Sequence, residues 1–115
     1  VLNTMTLRPN VIMHQPEMAA AALQIAREAV AVGRAAGADL DDDLAEWVIA
    51  ATLEESPDGV NSLLADRLAR RETELHARNG AIVRTGERLG VPTPLNSMGV
   101  AVVEAQIAKE ESICD

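Results

Sequence analysis

Apolar residues recur at helical spacing along most of this chain. Met18, Ala22, Ile25, Ala29, Val32 and Ala36 form the longest series, and steps of three and four place them on one helix face. Pro16 stands just before it, where a missing N–H costs nothing, and Gly37 just after it, where helices commonly stop. Leu44, Trp47, Val48 and Ala51 predict a second helix, whose start the acids of Asp39 to Asp43 favour through the helix dipole. Ser56-Pro57-Asp58-Gly59 is a turn by composition. A short helix is expected from about Ser62, with the Ser62 hydroxyl suited to capping it. A break then precedes Thr73, which caps a helix running from Glu74 to about Leu89, with Leu75, Ile82, Gly86 and Leu89 on one face. Thr93-Pro94 opens a last helix with Leu95, Met98, Val102, Ala105 and Lys109 on one face, and Glu110 to Asp115 are expected to fray into solvent. Val1 to Thr6 reads as the tail of a helix that Pro9 breaks. Five or six helices without an alternating strand pattern predict an all-α fold, and 115 residues suffice for one domain with one core.

Small residues refine this picture. Gly33 and Gly37 form a small-x-x-x-small pair, expected here to give close packing and a helix stop. Asn79-Gly80 lacks flanking strands, so it belongs inside a helix, where Gly costs about 1 kcal/mol relative to Ala and implies a second backbone close by. Trp47 is the only aromatic residue. It is expected in the core or at a domain contact, with its indole N–H reaching an edge.

The net charge of −8 argues against a nucleic-acid partner, and a single aromatic residue gives no base-stacking platform. The charge is unevenly placed. Asp39 to Asp58 holds eight acids and no base, whereas Gly59 to Asn96 holds six of the ten basic residues, all arginine. That cationic stretch suits a small carboxylate or a phosphorylated cofactor, and equally an intramolecular charge match between helices. Chemistry of other kinds finds little support. Counting an EF-hand loop from Asp39 puts Leu44 where Gly is needed and Ala50 where the bidentate Glu belongs, so no metal site is expected. His14 and His76 have no ligand-type spacing, and His76 is expected to face solvent. Cys114 has no partner for an internal disulfide, which makes a cytoplasmic setting the default. No secretory or membrane-spanning segment is evident, so no membrane partner is expected. Neither GxGxxG nor a P-loop occurs, so the chain is not expected to hold a dinucleotide by itself.

The remaining pattern is polar. Ser62, Asp66, Arg70 and Glu74 stand four apart. On one unbroken helix they would share a face, as a solvated stripe or as a small polar binding site. Asn61-Ser62-Leu63, Asp66, Arg70-Arg71, Thr73-Glu74, Asn79-Gly80 and Gly90-Val91-Pro92-Thr93-Pro94 follow in an order and spacing that resembles the C-terminal domain of the ketopantoate reductase (2-dehydropantoate 2-reductase) family. Val1-Leu2-Asn3-Thr4-Met5-Thr6 is similar to the family segment that holds the second of two substrate-contacting asparagines. The sequence departs from the family where the commoner Ser-Ser-Met reads Asn61-Ser62-Leu63. The family's general-acid lysine would lie before Val1.

The resemblance implies a helical C-terminal fold of the 6-phosphogluconate dehydrogenase type, spanning residues 1–115 and lacking an N-terminal dinucleotide-binding domain as its partner. It further implies NADPH-dependent reduction of a small 2-keto acid, ketopantoate to pantoate, in pantothenate biosynthesis. Asn3 and Ser62 would hydrogen-bond substrate, and Glu74 would act catalytically at substrate and cofactor. A homodimer is compatible with it. The alternative is a non-catalytic helical module for dimerisation or protein contact.

Overall fold

The computed structural model describes residues 1–70 and 74–114, and of residues 109–114 the backbone alone. Arg71 and Thr73 lie outside the described residues, as do the side chains of Lys109 and Cys114. Every regular element described is helical: α1 (Leu2–Thr6), a 3₁₀ turn (Asn10–His14), α2 (Pro16–Ala35), α3 (Leu44–Glu54), α4 (Ser62–Leu68), α5 (Asn79–Leu89) and α6 (Pro94–Cys114). Helix α2 is the central strut. It packs against α3, α5, α6 and the 3₁₀ turn, while α1 lies on α6 and α4.

Several boundaries fall where local chemistry demands. Pro16 opens α2 as its first residue. Beyond its end Gly37 takes a φ of 98°, a left-handed conformation that glycine adopts without steric cost. Gly33 answers a different need, because the Leu40 side chain lies where a Cβ would sit, at 2.9 Å. Gly90 ends α5 at a φ of 75°, and Pro94 is the first residue of α6.

Other expectations are corrected. Helix α1 ends on Leu7, which takes a left-handed φ of 55° two residues before Pro9. The cap of α4 is Asn61, whose side chain accepts from the Leu64 N–H at 2.9 Å, and Ser62 is the first helical residue. The stripe from Ser62 to Glu74 is interrupted earlier than Thr73: α4 ends at Leu68, and Arg70 has a φ of 58°. Residues 75–78 form turns, so α5 begins at Asn79 rather than Glu74. Gly80 is therefore in the first helical turn, closed by its N–H to the Leu75 carbonyl at 2.8 Å. Helix α6 buries Asn96, Gly99 and Val103, one position away from the expected face, and leaves Met98 exposed. Its backbone stays helical to Cys114 instead of fraying from Glu110. Trp47 is 66% exposed and does not belong to this domain's core.

One apolar cluster brings Leu63, Leu75 and Val103 together from α4, the following turns and α6, with Val1, Met5, Val100 and Ile107 against them. Gly86 allows α5 to meet the loop before α6: a Cβ there would stand 2.7 Å from the Val91 carbonyl oxygen. The acids of α3 and its approach pair with α2. Arg27 meets Glu46 at 2.7 Å and Arg34 meets Asp42 at 2.6 Å, so these pairs join α2 to α3 and its approach.

Candidate active site

All five asparagines of the chain line one pocket of about 570 Å³. Its walls are mainly aliphatic, supplied by α2 and α3 through residues such as Ile25, Ala29, Val48 and Ile49. Its polar groups come from α1, the 3₁₀ turn and the starts of α4, α5 and α6. Glu55 is the only charged side chain in the lining. Asparagine is a poor residue for helix interiors because its amide competes for backbone partners. Three of the five nonetheless sit in helices, which points to side-chain work.

Three amides form a chain along one rim. Asn61 Nδ2 donates to Asn3 Oδ1 at 3.2 Å, Asn3 Nδ2 donates to Asn10 Oδ1 at 3.2 Å, and Asn10 Nδ2 donates to Glu55 Oε2 at 2.9 Å. Asn3 Nδ2 also donates to the Arg8 carbonyl at 3.2 Å. Both Asn3 and Asn10 are buried, at 6% exposure each. The loop that carries Glu55 is held to the 3₁₀ turn by its backbone, Asn10 N to Gly59 O and Val11 N to Pro57 O at 2.9 and 2.8 Å.

A second group closes the opposite side. Glu28 of α2 accepts from the Leu95 and Asn96 N–H groups, each at 3.0 Å, and from Asn96 Nδ2 at 2.9 Å. A carboxylate from another helix thus satisfies the first free donors of α6, where negative charge also complements the helix dipole. Asn96 Nδ2 also reaches the Ile25 carbonyl, and Asn79 Nδ2 donates to Asn96 Oδ1 at 2.8 Å.

Of the residues singled out from sequence, Asn3 is at the pocket and Asn61 brings it against the start of α4, one residue from Ser62. Ser62 itself is exposed and is not among the residues lining the pocket. Glu74 is also exposed, in an ion pair with Arg78 at 2.9 Å, and likewise stands outside the lining. His76 faces solvent as expected and meets Glu104 at 3.0 Å. Asn10, Glu55, Glu28 and Asn96 were not legible as site residues. For Asn10 and Asn96 the signal was the residue type, since a buried amide needs partners in a way that a solvated one does not, whereas nothing in the sequence marked Glu28 or Glu55.

The hydrogen bonds from Arg27 hold the exposed Glu46 carboxyl below its ordinary value. The described residues contain no group of three or more His, Cys, Asp or Glu able to hold a metal ion, and no described helix is long and apolar enough to cross a membrane.

Residues 2–107 match the family described as ketopantoate reductase PanE/ApbA C terminal. The chain belongs to that family. Its relatives include the 2-dehydropantoate 2-reductase of Caulobacter vibrioides, 50% identical over 104 residues, which cover 90% of this chain and 36% of that protein. The 2-dehydropantoate 2-reductases of Mycobacterium tuberculosis and Pyrobaculum aerophilum are 36% and 32% identical over 85% and 93% of the chain, and 33% and 37% of their own lengths. The chain therefore spans about a third of the curated relatives it matches. A solved dimeric ketopantoate reductase from Staphylococcus aureus superimposes with a TM-score of 0.84 at 18% identity, over 90% of this chain and 36% of that one. This last likeness establishes the helical family fold.

Proposed function

We propose that this chain is the helical substrate-binding part of an NADPH-dependent 2-dehydropantoate 2-reductase, completed by an N-terminal dinucleotide-binding domain. The observation that carries the proposal is the placement of Asn3. It is a buried amide, fixed by Asn10 and Asn61, on the rim of a pocket whose walls are aliphatic. Ketopantoate is a small keto acid with two methyl branches and a hydroxyl, so aliphatic walls and an amide rim suit its two ends.

Among the described residues the lining holds no arginine or lysine and one carboxylate, so it offers no cationic partner to the cofactor's pyrophosphate, and the substrate's carboxylate must find its counter-charge outside this lining. NADPH is accordingly assigned to the missing domain, with Glu74 meeting it from the exposed side of this one. The cofactor supplies the hydride. The part of this chain is to orient the substrate through Asn3 and Ser62 and to bring Glu74 to the reacting centre. A homodimer, a place in pantothenate biosynthesis and a cytoplasmic setting belong to the same proposal. The non-catalytic module is the alternative, and the exposed positions of Ser62 and Glu74 are the observation in its favour.

Turnover of ketopantoate by the complete protein, followed as NADPH oxidation, separates the two. With Glu74→Ala, turnover is expected to fall by about two orders of magnitude or more, the range for loss of a proton-handling group, with helical content unchanged. Near-normal turnover in that variant would remove Glu74 from the site, and an inactive parent protein would leave the module.

A further inference from the structure

The direction of each amide along the rim follows from the two ends of the chain. At one end the Leu64 N–H can only donate, so the atom of Asn61 facing it, at 2.9 Å, is Oδ1. Asn61 Nδ2 must then face Asn3, which presents Oδ1 in return. Asn3 Nδ2 is left for the Arg8 carbonyl and for Asn10 Oδ1. That turns Asn10 Nδ2 outward, to the Glu55 carboxylate, which when ionised can only accept. A donor-only group and an acceptor-only group thus bracket three amides, and no member can flip without breaking a bond at both of its ends.

Glu55 occupies the cheap end of this arrangement. It is exposed, so its charge stays hydrated, while one of its oxygens satisfies a donor of the buried Asn10. Without it Asn10 Nδ2 would be left buried without that acceptor, with only the bond from Asn3 to hold the orientation of Asn10, and the orientation of Asn3 would lose support from that side. Resting on the proposed reductase function, we infer that Glu55 is a positioning residue: through Asn10 it sets which atom of Asn3 the substrate meets.

Asn96 and Asn79, with Glu28 behind them, supply an internal control, because the two amides line the same pocket and their hydrogen bonds named above go to Ile25, Glu28 and each other. Side-chain amide exchange by NMR in the 115-residue chain reads both at once. With Glu55→Ala, the Asn3, Asn10 and Asn61 amides are expected to lose protection by about tenfold, as follows from losing one part-buried hydrogen bond to a charged group. The Asn79 and Asn96 amides should keep theirs, and Glu55→Gln should restore most of the loss, since its carbonyl can accept the same bond. A change confined to Asn10, or an equal change at Asn79 and Asn96, would overturn the inference. In the complete protein Glu55→Ala should raise the KM for ketopantoate about tenfold while kcat changes by less than about threefold, the pattern for lost ground-state binding. An unchanged KM would also overturn it. Absence of turnover in the parent protein would instead defeat the reductase proposal, and the exchange pattern would still decide whether Glu55 orients the amides.

Discussion

Asn96 does more than any other single side chain to hold the pocket's far side. Its amide joins Ile25 and Glu28 of α2 to Asn79 of α5, and it is fully buried. Asn96→Ala would leave the Ile25 carbonyl and Asn79 Nδ2 without their partner, and is expected to cost about 2–3 kcal/mol in denaturant unfolding. Asn61→Ala removes a half-buried helix cap together with the donor to Asn3 Oδ1, and should cost about 1–2 kcal/mol. Gly86 is the corresponding backbone position. Val91 O and the Thr93 side chain stand 2.7 and 2.9 Å from where a Cβ would be, and a backbone atom cannot rotate away. Gly86→Ala is therefore expected to destabilise by about 1–3 kcal/mol, despite the better helix propensity of alanine, and a thermal melt would register it.

At the scale of elements, periodicity carried far where a helix has two unlike faces, and failed where it has not. The start of α2 at Pro16, the stop near Gly37 and the Pro94 start of α6 were legible because proline and glycine act locally. The buried face of α6 was not. Apolar residues surround that helix, so the residue that decides its rotation is a polar one, Asn96, whose burial depends on Glu28 at a separation of 68 residues. The same holds at Ser62. Sequence favours a hydroxyl cap there, but Asn61 takes the role because its amide also reaches Asn3, 58 residues away. Family motifs led to Asn3 and to the start of α4. Asn10 and Glu55 needed the fold, because the bond between them spans 45 residues and neither belongs to a motif.

Gln106 ties the molecule together across nearly its whole length. Its Nε2 donates to the carbonyls of Thr4 and Met5 at 3.2 and 3.1 Å, 102 and 101 residues away. Contacts within α2 and α3 close short loops, whereas this one closes a loop of almost the entire chain, whose entropy must be lost before the contact contributes. It is therefore expected to form late, after the barrier to folding has been crossed. Gln106→Leu should accelerate unfolding about tenfold while leaving the folding rate within about twofold, as expected for an interaction absent from the transition state. Stopped-flow kinetics would show one arm of the chevron rise and the other stay. Helix α1, which carries Asn3, is on this account the last part of the fold to dock, and the rim of the pocket is the last part of the site to exist.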